Sequence, residues 1–128
     1  MKNLFSLAVV ALLISCSGVK SDDKAATYTN PVINNNAPDP TVIRAKDGTF
    51  YAYSTMMYGN VPVYKSQDMI NWEYIGGAFR KGEVPKFVPK ANIWAPDINY
   101  IEGKYVLYFS MSTWGGEWEA GIGRAVAD

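Results

Sequence analysis

The chain has 128 residues, 12 Lys and Arg against 12 Asp and Glu, no His, one Cys and 48% apolar residues. A charge balance this even gives no electrostatic case for nucleic acid or for an anionic lipid surface. The lack of His removes Ser-His-Asp and Cys-His nucleophile systems and the usual zinc sites, and a lone Cys excludes an intramolecular disulfide.

The first residues read as a leader. Lys2 is a basic start, and the uncharged apolar run from Leu4 to Ile14 is too short for a permanent bilayer span, as in a secretory signal over residues 1–15. It ends in Leu13-Ile14-Ser15-Cys16, which resembles the lipobox of bacterial lipoproteins. That resemblance implies cleavage before Cys16 and lipidation of its sulfur; an ordinary signal with a chance Cys is the alternative. Removing residues 1–15 leaves 11 basic against 12 acidic residues. Residues 16–30 are then the lipidated Cys and a small, polar segment of the kind that acts as a flexible tether, with Asp22-Asp23-Lys24 as solvated linker.

From Thr41 onward the pattern is period two, rich in aromatic and β-branched residues and punctuated by Gly, Asn, Asp and Pro. This predicts an all-β chain. Strands are expected at 41–44, 49–55, 61–65 and 72–75, with a hairpin turn at Lys46-Asp47-Gly48. A Pro- and Lys-rich connector follows at 82–90, then strands at 98–101, 104–112 and 120–127, the first two joined through Glu102-Gly103. The second set lacks a fourth strand.

The two sets repeat a phrase. Ala37-Pro38-Asp39-Pro40 precedes the first, and Ala95-Pro96-Asp97-Ile98 precedes the second 58 positions later, while Gly48, Phe50 and Tyr53 align with Gly103, Tyr105 and Tyr108. Four-stranded sheets repeating at this length suit a β-propeller, where the innermost strand of each blade lines a central channel. A sandwich is the alternative, but its strands need not repeat a motif at one point of successive sheets. A propeller needs about four blades or more, so residues 31–128 are expected to be the N-terminal part of a longer domain.

Asp39 lies between two prolines, which predicts a stiff extended or polyproline segment and a fixed carboxylate, as a general base needs. A turn Asp capping backbone N–H groups is the plainer reading. The repeat also invites a pairing of Asp39 with Asp97. The chain has 4 Trp and 9 Tyr, more than a small β core requires. Sugars offer flat C–H faces to rings and hydroxyls to polar tips, so aromatics beside fixed carboxylates suit carbohydrate. Tyr51, Tyr105, Tyr108 and Trp72 are expected in the fold itself, and Trp94 and Trp114 in a site.

Asn36-Ala37-Pro38-Asp39-Pro40, Ser66-Gln67-Asp68-Met69-Ile70-Asn71-Trp72, Ile93-Trp94-Ala95-Pro96-Asp97-Ile98, Ser112-Thr113-Trp114-Gly115 and Gly121-Ile122-Gly123 together resemble glycoside hydrolase family 43, and within it the arabinanases. The resemblance covers residues 30–128. It implies a five-bladed β-propeller that hydrolyses arabinan or related pentosans with inversion, with acid and base carboxyls roughly 6.5 to 9.5 Å apart. It makes Asp39 the general base and places the acid-tuning Asp and the general-acid Glu in later blades, outside this chain. Asp97 is then a brace of the channel wall or pocket, and Glu102, Glu117 and Glu119 do not fit the acid. Trp94, Asp97, Trp114 and Gly115 are expected at the substrate. No cofactor is expected, and a channel-bound ion such as calcium in the complete protein is left open. The expected protein is a monomer, bound to the bacterial envelope by lipid alone, with a polysaccharide or oligosaccharide as partner; the 128 residues by themselves are expected to be inactive. A β-xylosidase or α-L-arabinofuranosidase, or a glycan-binding lipoprotein, is the alternative.

Overall fold

The structure is a computed structural model and describes residues 27–115 and 119–127. Residues 1–26, with Cys16 and most of the tether, and the loop residues Gly116, Glu117 and Trp118 lie outside the described residues.

Seven strands form two antiparallel sheets. The first has β1 (Thr41–Arg44), β2 (Phe50–Tyr53), β3 (Pro62–Ser66) and β4 (Glu73–Gly77), side by side in chain order. The second has β5 (Asn92–Ile101), β6 (Lys104–Ser112) and β7 (Ala120–Ala127), also in chain order. β1, β6 and β7 coincide with the expected strands.

β5 does not, because it begins at Asn92 and runs straight through Ala95-Pro96-Asp97. Pro96 has no N–H to donate, but β5 lies at the edge of its sheet, where that donor is not needed. The ladder with β6 slips between Trp94 and Asp97, so Pro96 sits in an irregularity rather than in the regular pairing. Trp72 also falls outside its expected strand. It is half-buried, with its indole N–H donated to the Met69 carbonyl at 2.9 Å in the turn before β4.

The core lies between the sheets. Ile93, Ile98, Leu107, Phe109 and Met111 of the second sheet bury against Val61 and Val88, flanked by Ile43 and Tyr53 of the first and by Met56 just past β2. The connector between the sheets is part of this core. Phe79 meets Phe109 edge-on with centroids 5.7 Å apart, Phe87 lies 6.3 Å from the same ring, and Val84 and Val88 fill beside them.

The Gly121-Ile122-Gly123 motif makes this packing possible. A Cβ on Gly123 would fall 2.3 Å from Phe109 Cε2 and Cζ, and one on Gly121 would fall 2.6 Å from Phe87 Cε2. The aromatic rings therefore lie directly over the β7 backbone, where no larger residue fits without displacing them.

Candidate active site

The site begins where β2 ends. Past Tyr53 the chain leaves the ladder and wedges between the N-terminal approaches to β1 and β5. The Thr55 amide donates to the Pro38 carbonyl at 3.0 Å, and the Met56 amide donates to the Ile93 carbonyl at 2.9 Å. One short segment thus clips the two repeated motifs to each other.

Asp39 lies on this seam. Its backbone is not extended, because φ is +50°. Pro40 disfavours the right-handed helical region for the residue before it, and Asp is among the few L-residues that tolerate the left-handed region. Left-handed backbone costs about 1–2 kcal/mol per ordinary L-residue. A hydrogen bond to a charged group, about 1.5–3 kcal/mol, offsets it, and one is present: Thr55 Oγ1 donates to Asp39 Oδ2 at 2.7 Å. Among the described residues no hydrogen bond reaches Asp39 Oδ1, so that oxygen can accept a proton from water.

The pairing of Asp39 with Asp97 does not hold. Thr41 stands opposite Tyr53, and Asp97 stands opposite Tyr108. With Tyr53 and Tyr108 equivalent, Asp97 takes the place of Thr41, and Ala95 takes the place of Asp39. The backbone agrees: Ala95 has φ +43°, and it too immediately precedes a proline. Relative to the strand pairing, the repeated letters are displaced by two residues. Asp97 Oδ2 accepts from Asn99 Nδ2 at 2.9 Å, and Oδ1 lies 3.5 Å from the Thr41 hydroxyl. Its carboxylate faces Thr41 on the first sheet.

Trp94, beside Ala95, is half-buried and donates its indole N–H to the Ser112 carbonyl at 3.0 Å. Trp114 stacks on it, with centroids 5.3 Å apart and planes at 29°, and is 81% exposed. The pair forms a fixed aromatic surface with an outer ring open to solvent, the shape that receives the C–H face of a sugar. Gly115 follows with φ +67°, a backbone that an L-residue resists. Glu102 is exposed in the β5–β6 turn with φ +49°, and Glu119 is exposed just before β7. Among the described residues no group of three or more His, Cys, Asp or Glu side chains could hold a metal ion.

Thr55 was missed in the sequence. Its role comes from contacts with residues 16 and 40 positions away, which no local pattern signals. Cavities of about 470 Å³ over Lys65 to Glu73 and 250 Å³ between Asn35, Tyr58, Tyr64 and Tyr74 lie away from Asp39 and Trp94.

Successive antiparallel sheets packed face to face in chain order, with a repeated motif at the seam between their inner strands, have the arrangement of adjacent β-propeller blades. The particular family follows from comparison: the Glycosyl hydrolases family 43 model matches residues 28–128, and the chain belongs to that family. It is 31% identical to the arabinan endo-1,5-alpha-L-arabinosidase A of Aspergillus niger over 131 aligned positions, which take in 100% of this chain and 38% of that protein. Among solved structures it resembles the GH43 endo-arabinanase from Bacillus licheniformis, at TM-score 0.64 and 33% identity over 74% of this chain and 33% of that one. It is also similar to the Bacillus subtilis arabinanase Arb43A, at TM-score 0.62 and 35% identity over 73% of this chain and 34% of that one. These arabinanases are five-bladed β-propellers, of which this chain holds a part. The chain spans about a third of the length of these relatives.

Proposed function

We propose that the whole protein is an inverting glycoside hydrolase that cleaves α-L-arabinofuranosyl linkages in arabinan or a related pentosan, with Asp39 as its general base. The observation that carries this is the Asp39 carboxylate, held through one oxygen by Thr55 and with no bond to the other among the described residues, at the repeat position that Ala95, the residue after Trp94, takes in the second sheet. A water between Oδ1 and the anomeric carbon gives its proton to Asp39 while its oxygen attacks. The glycosidic bond breaks, and the leaving oxygen takes a proton from an acid carboxyl across the sugar, at the wider separation that inversion requires. That acid is supplied by sequence outside these 128 residues, so this segment by itself is inactive. Trp94 and Trp114 hold a sugar face, and Gly115 lets the backbone approach it.

The leader reading extends the proposal. Cleavage before Cys16 and lipidation of its thiol would hold the enzyme at the bacterial envelope by its anchor, where polymer fragments arrive.

Turnover of debranched arabinan against xylan and aryl xylosides by the whole protein tests the substrate, and proton NMR of the first product anomer tests inversion. Asp39→Asn is expected to lower kcat by about 10²- to 10⁴-fold. Turnover confined to xylosides would favour the β-xylosidase reading, and binding with no turnover of any glycoside would favour the glycan-binding one. Palmitate labelling that is lost in Cys16→Ala tests the anchor.

A further inference from the structure

We propose that Thr55 is the positioning residue for the base, and that it sets the direction of the Asp39 carboxylate through a one-way hydrogen-bond relay from the second sheet. This rests on the assignment of Asp39 as general base.

The relay has a fixed polarity. The Ala95 amide can only donate, and it donates to Thr55 Oγ1 at 2.9 Å. The hydroxyl proton is therefore directed to its acceptor on the other side, Asp39 Oδ2 at 2.7 Å. That length is in the range of charge-assisted O–H···O⁻ bonds. A reversed hydroxyl would face the Ala95 N–H with its own proton and leave the carboxylate without its donor.

Thr55 itself is held. It is only 4% exposed, its amide is bonded to Pro38, and the next amide is bonded to Ile93. A β-branched side chain between such anchors has little χ1 freedom. The hydroxyl therefore has one place to be, and the left-handed Asp39 has one oxygen committed and one free. The donors and acceptors in line belong to both repeats: Asp39 precedes β1, and Ala95 occupies the equivalent position within β5. The carboxylate is thus aimed by the packing of one sheet on the next, rather than by its own turn. Small displacements of a general base lower the rate steeply, which is the chemical reason for such a brace.

The test uses the whole protein with debranched arabinan as substrate, and the variants Thr55→Val, Thr55→Ser, Asp39→Asn and the Asp39→Asn/Thr55→Val double. Thr55→Val keeps the shape and removes the donor, so kcat is expected to fall about 10- to 100-fold with KM within about twofold. Thr55→Ser retains the donor and is expected to keep kcat within about threefold. In the Asp39→Asn background Thr55→Val is expected to change the residual rate by less than about twofold, as for two residues acting as a unit. Thr55→Cys, a small side chain with a weak donor, makes the same comparison against Thr55→Ser should the Val variant lose its near-UV circular dichroism.

Full kcat in Thr55→Val, failure of Ser to rescue, or an equal further loss in the Asp39→Asn background overturns the relay. Those results leave the base assignment standing if Asp39→Asn is inactive. Asp39→Asn with kcat near the parent's overturns the base assignment itself, whatever Thr55 does.

Discussion

Gly123→Ala tests whether the second sheet is packed as described. Replacing a non-turn glycine in a strand ordinarily stabilises by about 0.4–1 kcal/mol, because the unfolded chain loses freedom. Here the added Cβ falls 2.3 Å from two atoms of the Phe109 ring. Phe109 is 3% exposed, with Phe79 edge-on at 5.7 Å and Phe87 at 6.3 Å, so it has no free volume to enter. Overpacking of this kind costs about 1–3 kcal/mol, and the sign of the usual effect reverses. Gly121→Ala is the internal control: its Cβ meets Phe87 Cε2 at 2.6 Å, but Phe87 is 52% exposed and can swing outward. Its expected change is within about 1 kcal/mol. Urea unfolding followed by Trp fluorescence reads both, and Phe109→Leu in the Gly123→Ala background is expected to recover part of the loss. A Gly123→Ala protein as stable as the parent, or a Gly121→Ala protein less stable than Gly123→Ala, would refute the packing of Phe109 over β7.

Trp114→Ala removes the open ring of the stacked pair and is expected to raise KM for arabinan about 2- to 10-fold with kcat within a factor of two, as measured by initial rates. Glu102→Asn suits a hairpin in which Glu102 and Gly103 both have positive φ, and is expected to raise stability by about 0.5–1 kcal/mol in the same urea assay. Asp68 accepts from the Asn71 amide at 2.8 Å, the Ile70 amide at 2.9 Å, the Asn71 side chain at 2.7 Å and the Ser66 hydroxyl at 3.0 Å. These bonds, the Asn71 amide foremost, hold its carboxyl well below the usual carboxylate range. A lowered folded-state value stabilises the fold above the unfolded value near 4 and loses that contribution as pH falls toward the folded one. Asp68→Asn is therefore expected to lower the urea midpoint at pH 7 and to flatten its decline between pH 5 and pH 2; an unchanged pH profile would remove the turn from the account.

Much of the strand order was legible because alternation and turn residues act locally. β6 and β7 are long, regular and bounded by Glu102-Gly103 and by the Trp114-Gly115 loop, so their ends fall where the pattern changes. β5 was expected only over 98–101 but begins at Asn92, and its place at a sheet edge is what lets it run through Pro96. The Pro- and Lys-rich connector at 82–90 gave no sign of burial, yet its Val88 belongs to the core and Val84, with the neighbouring Phe79, packs against it. Val88 lies beside Gly121 of β7, more than thirty residues later, and no window of local sequence contains both.

The repeated motif shows why identical letters need not mean identical roles. A two-residue difference in alignment keeps side chains on the same face of a strand, because the period is two. Asp97 and Asp39 could therefore share a face while lying at different depths, and the strand pairing sets the depth. Equivalence is carried instead by the residue before proline, Asp39 in one repeat and Ala95 in the other, both left-handed. One repeat presents a carboxylate there, and the other presents only a backbone N–H, which Thr55 links to that carboxylate. The same backbone form thus serves as the held group in one blade and as part of its holder in the next.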